Sequence, residues 1–422
     1  MLQVSATCGA PIHRYEKVEA NAMMTGAVHG VSSRRKHGSQ RLDTKNEQFA
    51  GWLLCMPMVI ILGLFLVVPI LMALWVSFSD WAGRGSPFSS TVHFVGVDNY
   101  ESVLATPGLS QSDFGTAIRN NAWYTLLVVP MQTLISLLLA VMVNRKILKA
   151  RGFFRTAFYF PSVTSSVAIT VLWMFLFGAS GSINAVLAWF HVKGPNWFND
   201  PRGLLHLLAG ALGVRQGPAA LTGHGFLGIS WWDWLSGPSV AMFAIILMVT
   251  FTTSGTFMLM FIAALQSIGD GTEEAAVMDG ANTWQRLWKI TVPQLKPTIF
   301  TVITLGIIGT WQVFDQIYTG TKGGPSKTTL TPAYLSYTAA FDNQQWGQGA
   351  AMAFVLFVII VALTWVQRQI MAERKMSRKT LARYAAMKAE ARALSAAGAG
   401  LCPPSPARLA DGGLAHTNPK ES

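Results

Sequence analysis

Six long stretches without a charged residue constrain what this 422-residue chain can fold into. They cover residues 48–79, 120–144, 156–192, 234–269, 297–314 and 343–367. A helix of about 20 mostly apolar residues crosses a bilayer, so we expect an all-α membrane protein with about six transmembrane helices. We place the helices near residues 52–77, 120–143, 157–178, 239–265, 298–318 and 347–368. The fifth must extend past Asp315 toward Tyr318 to cross fully.

The composition agrees with a membrane location. Hydrophobic residues make up 51% of the chain and charged residues only 12%, whereas soluble domains carry about twice that charged fraction. The net charge of +12 is compatible with nucleic acid or an anionic membrane surface, and the apolar runs favour the membrane. We therefore expect membrane lipid and no nucleic acid as partners. Cys8, Cys55 and Cys402 are too far apart to suggest a disulfide framework or a zinc site.

Basic residues are concentrated in three segments, and these segments predict the orientation of the chain. They are SRRK at 33–36, NRKILKARGFFR at 144–155 and the stretch 368–388. In a six-span chain all three lie on one side, and an excess of Lys and Arg marks the cytoplasmic side. We expect both termini in the cytoplasm, with an N-terminal tail at 1–46, a transmembrane domain at 47–372 and a partly disordered tail at 373–422.

One polar segment, EEAAVMDGANTWQRLWKITVPQLKP at 273–297, separates two apolar runs. Thr272 is a candidate N-cap for a first short helix, and Gly280 is a candidate residue for its end. Asn282 and Gln285 have the spacing of a capping box for a second helix. The pattern predicts a helix–turn–helix elbow on the cytoplasmic side. The alternative is a plain interfacial loop that places Trp284 in the lipid headgroups.

The spacing of this segment closely resembles the EAA signature of permease subunits in binding-protein-dependent ABC importers. The signature is carried by Glu274-Ala275-Ala276, Gly280 and Ile290-Thr291-Val292-Pro293, with Val292 where the family has Leu. The resemblance implies a cytoplasmic coupling helix, within 270–297, that docks on a separate ATPase. The coupling residues it implies are Glu274, Ala275, Ala276, Asp279, Gly280, Ile290 and Pro293.

Three further stretches resemble the maltose/glycerol-phosphate-type sugar permeases. They are FVGVDNYESVL at 94–104, the passage at 149–177, and FDQIYTGTKGGPSKTT at 314–329. The resemblance covers roughly residues 50–370. It implies a sugar substrate, a second homologous permease subunit, two cytoplasmic ATPase subunits and an extracytoplasmic solute-binding protein as partners, in the cytoplasmic membrane.

One region departs from that family. NWFNDP at 196–201 is echoed by WDWLSGP at 232–238, whereas relatives have one such block. The intervening residues, about 202–231, therefore look like an insertion in the outer loop. Its GLLHLLAGAL stretch is expected to form a helix too short to cross a bilayer. Contact with the binding protein is one possible role.

Sequence motifs for chemistry are absent. The chain has no GxxxxGK[ST] phosphate loop, no HExxH and no Ser/His/Asp elbow. We therefore expect no enzymatic activity, no catalytic residue, no metal site and no cofactor of its own. ATP is expected to bind the separate ATPase subunit.

A path for sugar is expected where the fourth and fifth helices carry polar residues. The resemblance implies solute contacts at Thr252, Thr253, Thr256, Gly309, Thr310 and Val313, although relatives often have Asn at the last two. Trp311 and Gln312 are added on physical grounds, because an aromatic ring and an amide suit a sugar. The alternative is that the Thr hydroxyls simply bond carbonyls of their own helix.

These observations predict a membrane-spanning permease subunit of an ATP-driven ABC importer for a sugar or sugar-like solute. The alternative is a self-sufficient secondary transporter or channel. That class would need inverted repeats and coupling carboxylates within the membrane. Asp315 is the only acid within a predicted span, and it lies toward the end of that span.

Overall fold

The computed structural model describes residues 44–144, 149–212, 218–268 and 270–371, together with residue 386. It contains two compact units, Met1–Pro69 and Ile70–Ser422. The predictions for most of the N-terminal tail and for the C-terminal tail lie outside the described residues.

The first apolar run is helical from α1, Thr44–Leu62, through a π-helical turn, Gly63–Val67, to α2, Val68–Ser77. The helix thus begins before the predicted residue 52. The π turn is closed by the amide of Val68, which donates to the carbonyl of Gly63. Pro69 follows at once, and because it has no amide proton it cannot close the next α-helical bond.

Helix α3, Asp98–Leu104, precedes α4, Leu109–Asn144. Helix α4 has 36 residues and is about 54 Å long, well beyond the roughly 30 Å of a bilayer core. Its first eleven residues precede the predicted start at residue 120 and include Asp113 and Arg119. This charged first part therefore extends beyond the apolar run.

The prediction of one continuous third helix is wrong. The run is divided into α5, Arg151–Val163, and α6, Ser166–Leu176, which meet at 97°. Thr164 is extended, with φ −72° and ψ 147°. Its hydroxyl donates to the carbonyl of Phe160 (3.1 Å), so a side chain occupies an acceptor that a continuing helix would give to an amide.

The segment between α6 and the next long helix is built of short elements. They are α7 Ser182–Trp189, a 3₁₀ turn Trp197–Asn199, α8 Leu204–Ala211, α9 Ala219–Thr222, strands β1 Gly225–Phe226 and β2 Ile229–Ser230, and α10 Trp231–Trp234. Helix α8 confirms the expected short helix. The strands pair antiparallel around Leu227 and Gly228, both at positive φ, as a tight hairpin requires. The part of the chain that the structure describes contains no other β-sheet.

The two flanks of this segment meet. The amide of Leu204 donates to the carbonyl of Pro238 (2.9 Å), and that of Val240 donates to Arg202 (3.1 Å). The side chain of Arg202 also holds that of Asp200 through a two-point contact, with Nη2 2.6 Å from Oδ2. The chain therefore leaves and returns at one place, and the two similar Trp- and Pro-containing blocks lie side by side.

Helix α11, Val240–Gln266, is the most buried candidate span. It packs mainly on α4 and α5. A Cβ at Gly255 would overlap the backbone of Phe158, so the glycine allows α5 to approach closely. Ser136 of α4 also donates to the carbonyl of Ser254 (3.0 Å), which joins α4 to α11.

The predicted elbow comprises α12 Asp270–Met278, α13 Thr283–Arg286, a π turn Leu287–Thr291 and α14 Val292–Gln294. The prediction of a cap at Thr272 is wrong, because α12 already begins at Asp270. The capping box of Asn282 and Gln285 is confirmed, with bonds of 2.8 and 3.0 Å. Gly280 has φ +76°, the left-handed conformation that ends many helices.

Helix α15, Lys296–Trp311, follows the elbow at an angle of 72°. Its predicted extension to Tyr318 is wrong, because the helix ends at Trp311. The carbonyl of Val313 accepts from the hydroxyl of Thr331 (3.2 Å), a residue from the loop beyond. The remaining elements are a π turn Ile317–Thr321, α16 Pro332–Tyr337, a π turn Thr338–Asp342, and α17 Trp346–Met371.

Within the described residues, four helices are long and apolar enough to cross a membrane, and the two bent pairs raise the total to six if each crosses once. The all-α membrane fold is thus confirmed. In the larger unit, contacts gather the loop at 79–97, the start of α4, the described part of the 203–238 segment and residues 327–344 at one end, here called the loop end. The elbow lies at the opposite end, where Leu295 packs with Val143 and Ile262.

Candidate functional site

Two adjoining cavities share a wall made by α11. The first, of about 270 Å³, lies between α11 and the break from α5 to α6. The second, of about 350 Å³, lies between α4, α11 and the end of α15. Both are lined by Val249, Thr253, Phe257 and Gln316. Each cavity thus lies beside a helix break, where backbone that is not regularly helical can border a polar space within a membrane protein.

The structure brings most of the predicted path residues to these cavities. Thr252, Thr253 and Thr256 line the first, and the second is lined by Thr253, Gly309, Thr310, Gln312 and Val313. Trp311 lines neither cavity, and its ring is only 5% exposed. It is therefore not in position to stack on a solute there.

The threonines differ in whether their hydroxyls are free. Thr252 donates to the carbonyl of Val249 (3.0 Å), and Thr310 donates to that of Gly306 (2.9 Å). These two threonines thus bond carbonyls of their own helix, as the alternative to solute contact predicted. Thr256 is exposed, and its hydroxyl has no hydrogen bond within the described residues. Thr256 is thus the member of the set best able to bond a solute without first giving up a bond.

Gln132, in the middle of α4, was missed by the sequence reasoning. Its side chain is 1% exposed and lines the second cavity. Thr253 Oγ1 donates to Gln132 Oε1 (2.7 Å), while Nε2 has no partner in the described residues. Nε2 lies against Gly306, where a Cβ would overlap it. An amide in the centre of the charge-free run 120–144 was the available signal, because such groups usually face a bundle interior.

One carboxylate borders the second cavity. Ser166 Oγ, at the start of α6, donates to Asp315 Oδ2 (2.8 Å). Asp315 is exposed, and it follows the break at the end of α15. The bond therefore joins the two helix breaks. No lysine or arginine is among the described lining residues of either cavity.

The chemistry available at these walls is hydrogen bonding. Hydroxyls, amides and one carboxylate alternate with apolar groups, a combination suited to holding a polar, uncharged molecule. Among the described residues, no group of His, Cys, Asp and Glu is arranged to hold a metal ion.

The elbow presents a mixed surface. Glu274, Ala275, Asp279 and Gly280 are exposed and Ala276 is buried, while Met278 is 88% exposed. Farther along, Pro293 is exposed and Ile290 is half-buried. The rings of Trp284 and Trp288 lie parallel, 6.4 Å apart, and remain exposed. An exposed apolar patch of this kind at the end of a membrane bundle fits contact with a protein or with lipid headgroups.

The family of binding-protein-dependent transport system inner membrane components matches residues 132–376. The lactose transport permease LacF of Rhizobium radiobacter is 30% identical over 77% of this chain and 95% of its own. The arabinooligosaccharide transport permease AraP of Bacillus subtilis (strain 168) is 27% identical, over 81% of this chain and 95% of its own. The crystal structure of a bacterial alginate ABC transporter, in complex with an alginate pentasaccharide-bound periplasmic protein, shares the fold. Its TM-score is 0.58 at 18% identity, over 79% of this chain and 98% of that one.

The matched range includes most of the apolar region, the whole elbow and both cavities, apart from Tyr124 of the second cavity. The relatives are transport permeases rather than enzymes. The chain therefore belongs to the binding-protein-dependent transport system inner membrane component family and is a permease subunit of an ABC importer.

Proposed function

We propose that this permease passes a neutral sugar through the two adjoining cavities. The observation that carries the proposal is their shared wall at α11. Thr253 borders both cavities, and the free hydroxyl of Thr256 borders the first. Hydroxyls and amides can replace the water around a sugar, and each neutral hydrogen bond contributes about 0.5–1.5 kcal/mol. The proposed path is formed by Gln132, Thr252, Thr253, Thr256, Gly309, Thr310, Gln312 and Val313.

The names of the relatives guide the choice of solute. LacF is named for lactose and AraP for arabinooligosaccharides, both uncharged, whereas the structural neighbour imports an acidic polysaccharide. In this chain the second cavity has the carboxylate of Asp315 and no basic side chain among its lining residues. Repulsion between like charges disfavours an acidic sugar there. We therefore favour a neutral sugar over a uronic acid polymer.

The orientation that fits this function has the elbow and both termini in the cytoplasm and the loop end outside. It is supported by the basic residues at 144–155 and 368–388, because Lys and Arg are enriched on the cytoplasmic side. In this orientation the domains are a tail at 1–46, the membrane domain at 47–372, with an outer insertion at about 202–231, and a tail at 373–422.

Energy would come from a partner. A solute-binding protein is implied by the family. We further propose a second homologous permease and two ATPase subunits that hold the ATP. The exposed face of α12 with Glu274 and Gly280, followed by the elbow as far as Pro293, is the proposed docking surface for one ATPase.

The test is reconstitution of the full complex in proteoliposomes with its binding protein. Labelled lactose, an arabinooligosaccharide and an alginate oligosaccharide would be offered with and without ATP. Uptake of a neutral sugar is expected only when both ATP and the binding protein are present. Uptake driven by an ion gradient without ATP would instead support a secondary transporter, and preference for alginate would contradict the argument from Asp315.

A further inference from the structure

A continuous row of aromatic rings connects the loop end to the second cavity. In order from the loop end its members are Trp81, Trp346, Phe341, Tyr337, Phe314 and Tyr318. Ring centroids of successive members lie between 4.6 and 5.4 Å apart. Successive rings are therefore in contact, with their planes inclined to one another by 21° to 63°.

The two ends of the row lie in different surroundings. Phe314 lines the second cavity, next to Asp315. At the other end, a Cβ on Gly83 would overlap the indole of Trp346, and Arg84 donates to Gln344 Oε1 (3.1 Å). The loop at 79–97 thus packs against the far end of the row, and the polar pair of Arg84 and Gln344 lies beside it.

The row is only partly buried, unlike the aromatic rings of the core. Phe341 is 56% exposed and Tyr318 is 44% exposed, whereas Tyr124 and Phe114 are at most 1% exposed. If these rings served only to pack the core, they would be expected to be buried, because burial of an aromatic ring removes a large apolar area from water. Asp342, next to Phe341, is also exposed, and a carboxylate facing lipid is costly. The exposed side of this part of the row therefore faces an aqueous space.

Local backbone geometry places the two exposed rings. Tyr318 lies in the π turn Ile317–Thr321, and Phe341 lies in the π turn Thr338–Asp342. A π turn shifts the residues after it around the helix, and such turns are frequent at functional sites. Regular α-helix at either turn would point these rings in other directions.

We propose that these six rings, here called the aromatic track, bind a neutral oligosaccharide as it passes between the loop end and the second cavity. The proposal rests on the proposed function, since it concerns the same solute. A sugar ring has an apolar face of C–H groups that packs on an aromatic ring, while hydroxyls at its edge can bond to tyrosine and amide groups. A row of rings suits a chain of sugars better than a single unit, because several units bind at once.

The first test compares Phe341→Ala and Tyr318→Ala with the matched control Phe88→Ala in the complete reconstituted complex. Phe88 is also an exposed ring in the 79–97 loop, but it stacks on Trp75, outside the track. Uptake per ATP hydrolysed is expected to fall about threefold to tenfold for the arabinooligosaccharide, as expected for loss of one aromatic contact, and less for lactose. Phe341→Trp should restore most of it, and Phe88→Ala should behave as wild type.

The second test does not require transport. With Cys8, Cys55 and Cys402 replaced by serine, Phe341→Cys or Tyr318→Cys would be labelled with a maleimide in the full complex. The arabinooligosaccharide should slow labelling at both positions, whereas Phe88→Cys should be unaffected.

The proposal would be contradicted if Phe341→Ala, Tyr318→Ala and Phe88→Ala showed equal uptake and the oligosaccharide did not slow maleimide labelling at positions 341 and 318. Failure of the alanine variants to assemble with the second permease would also contradict it, because the rings would then serve the subunit interface. If the wild-type complex imports no sugar, the proposed function fails, and protection from labelling still decides whether the track binds the oligosaccharide.

Discussion

Thr253 and Gln132 lie on different helices, and the Thr253 hydroxyl donates to Gln132 Oε1 at 2.7 Å. The same hydroxyl lies 2.8 Å from the carbonyl of Val249. A threonine has one proton to donate, so these two acceptors compete for it. The Gln132 amide, which also has an unpartnered Nε2, is therefore incompletely satisfied at the wall of the second cavity and suited to bond a passing solute.

Replacement of Gln132 tests that role. Gln132→Leu keeps the side-chain volume and removes the amide, so the complex should assemble while sugar uptake falls about threefold to tenfold, the equivalent of one lost neutral hydrogen bond. The matched control is Thr133→Val on the same helix, because Thr133 bonds only Val129 of its own helix (2.7 Å) and lines neither cavity. Wild-type uptake by the leucine variant would place the solute elsewhere.

A bulky residue at position 256 should obstruct the first cavity. Thr256 is exposed there, and its hydroxyl has no partner among the described residues. Thr256→Trp is expected to nearly abolish uptake of labelled sugar, while Thr256→Ser, which keeps the hydroxyl, should transport almost normally. The affinity of the binding protein for sugar should not change in either case. Normal transport by the tryptophan variant would contradict a solute path along α11 and would indicate a path elsewhere in the complex.

Gly280 should matter through its backbone. Its φ is +76°, and a Cβ there would meet nothing within 4 Å, so Gly280→Val strains only the turn, at a cost of about 1–2 kcal/mol. The control is Gly271→Val, which also has open space but no positive φ. We expect both variants to reach the membrane, and only Gly280→Val to lose ATPase co-purification and transport. If both co-purify equally, α12 is not the coupling helix.

The charge of Glu274 offers a separate test of the same surface. Glu274 is exposed on α12, so reversal of its charge should cost the fold little. Glu274→Lys is expected to weaken association with the ATPase, measured by co-purification at low and at high salt, because an exposed charge acts over a short, salt-dependent range. Glu274→Gln, which removes the charge without reversing it, should have a smaller effect. Unchanged association of the lysine variant would argue against docking at this face.

Acid should loosen the base of the 203–238 segment. The hydrogen bonds from Arg202 hold the pKa of Asp200 below its ordinary value, so their stabilising effect is present above that ordinary value and is lost as the pH falls through the lowered pKa. Because Arg202 is exposed, screening by solvent keeps the contribution of this pair to stability small. Limited proteolysis within 203–238 should therefore quicken below about pH 4. Asp200→Asn should show faster cleavage already at neutral pH, and equal cleavage of both proteins would contradict this account.

The features that depend on short stretches of chain could be predicted from the amino-acid sequence. Charge-free runs of sufficient length indicate spans, because the hydrocarbon thickness sets the number of residues a helix needs. The capping box at Asn282 and Gln285 was also predictable, since both partners lie within one helical turn. The left-handed turn at Gly280 follows from the residue type for the same local reason.

The positions of the helix breaks and the pairing of side chains across helices depend on contacts between distant parts of the chain. The end of α15 depends on Thr331, whose hydroxyl reaches the carbonyl of Val313. The wall of the second cavity depends on Gln132 and Thr253, 121 positions apart in the chain. Apolar composition favours a continuous helix in both broken runs, but it carries no information about a distant side chain that supplies a competing hydrogen bond. Within a membrane such bonds are decisive, because no water is present to satisfy the backbone groups that a break releases.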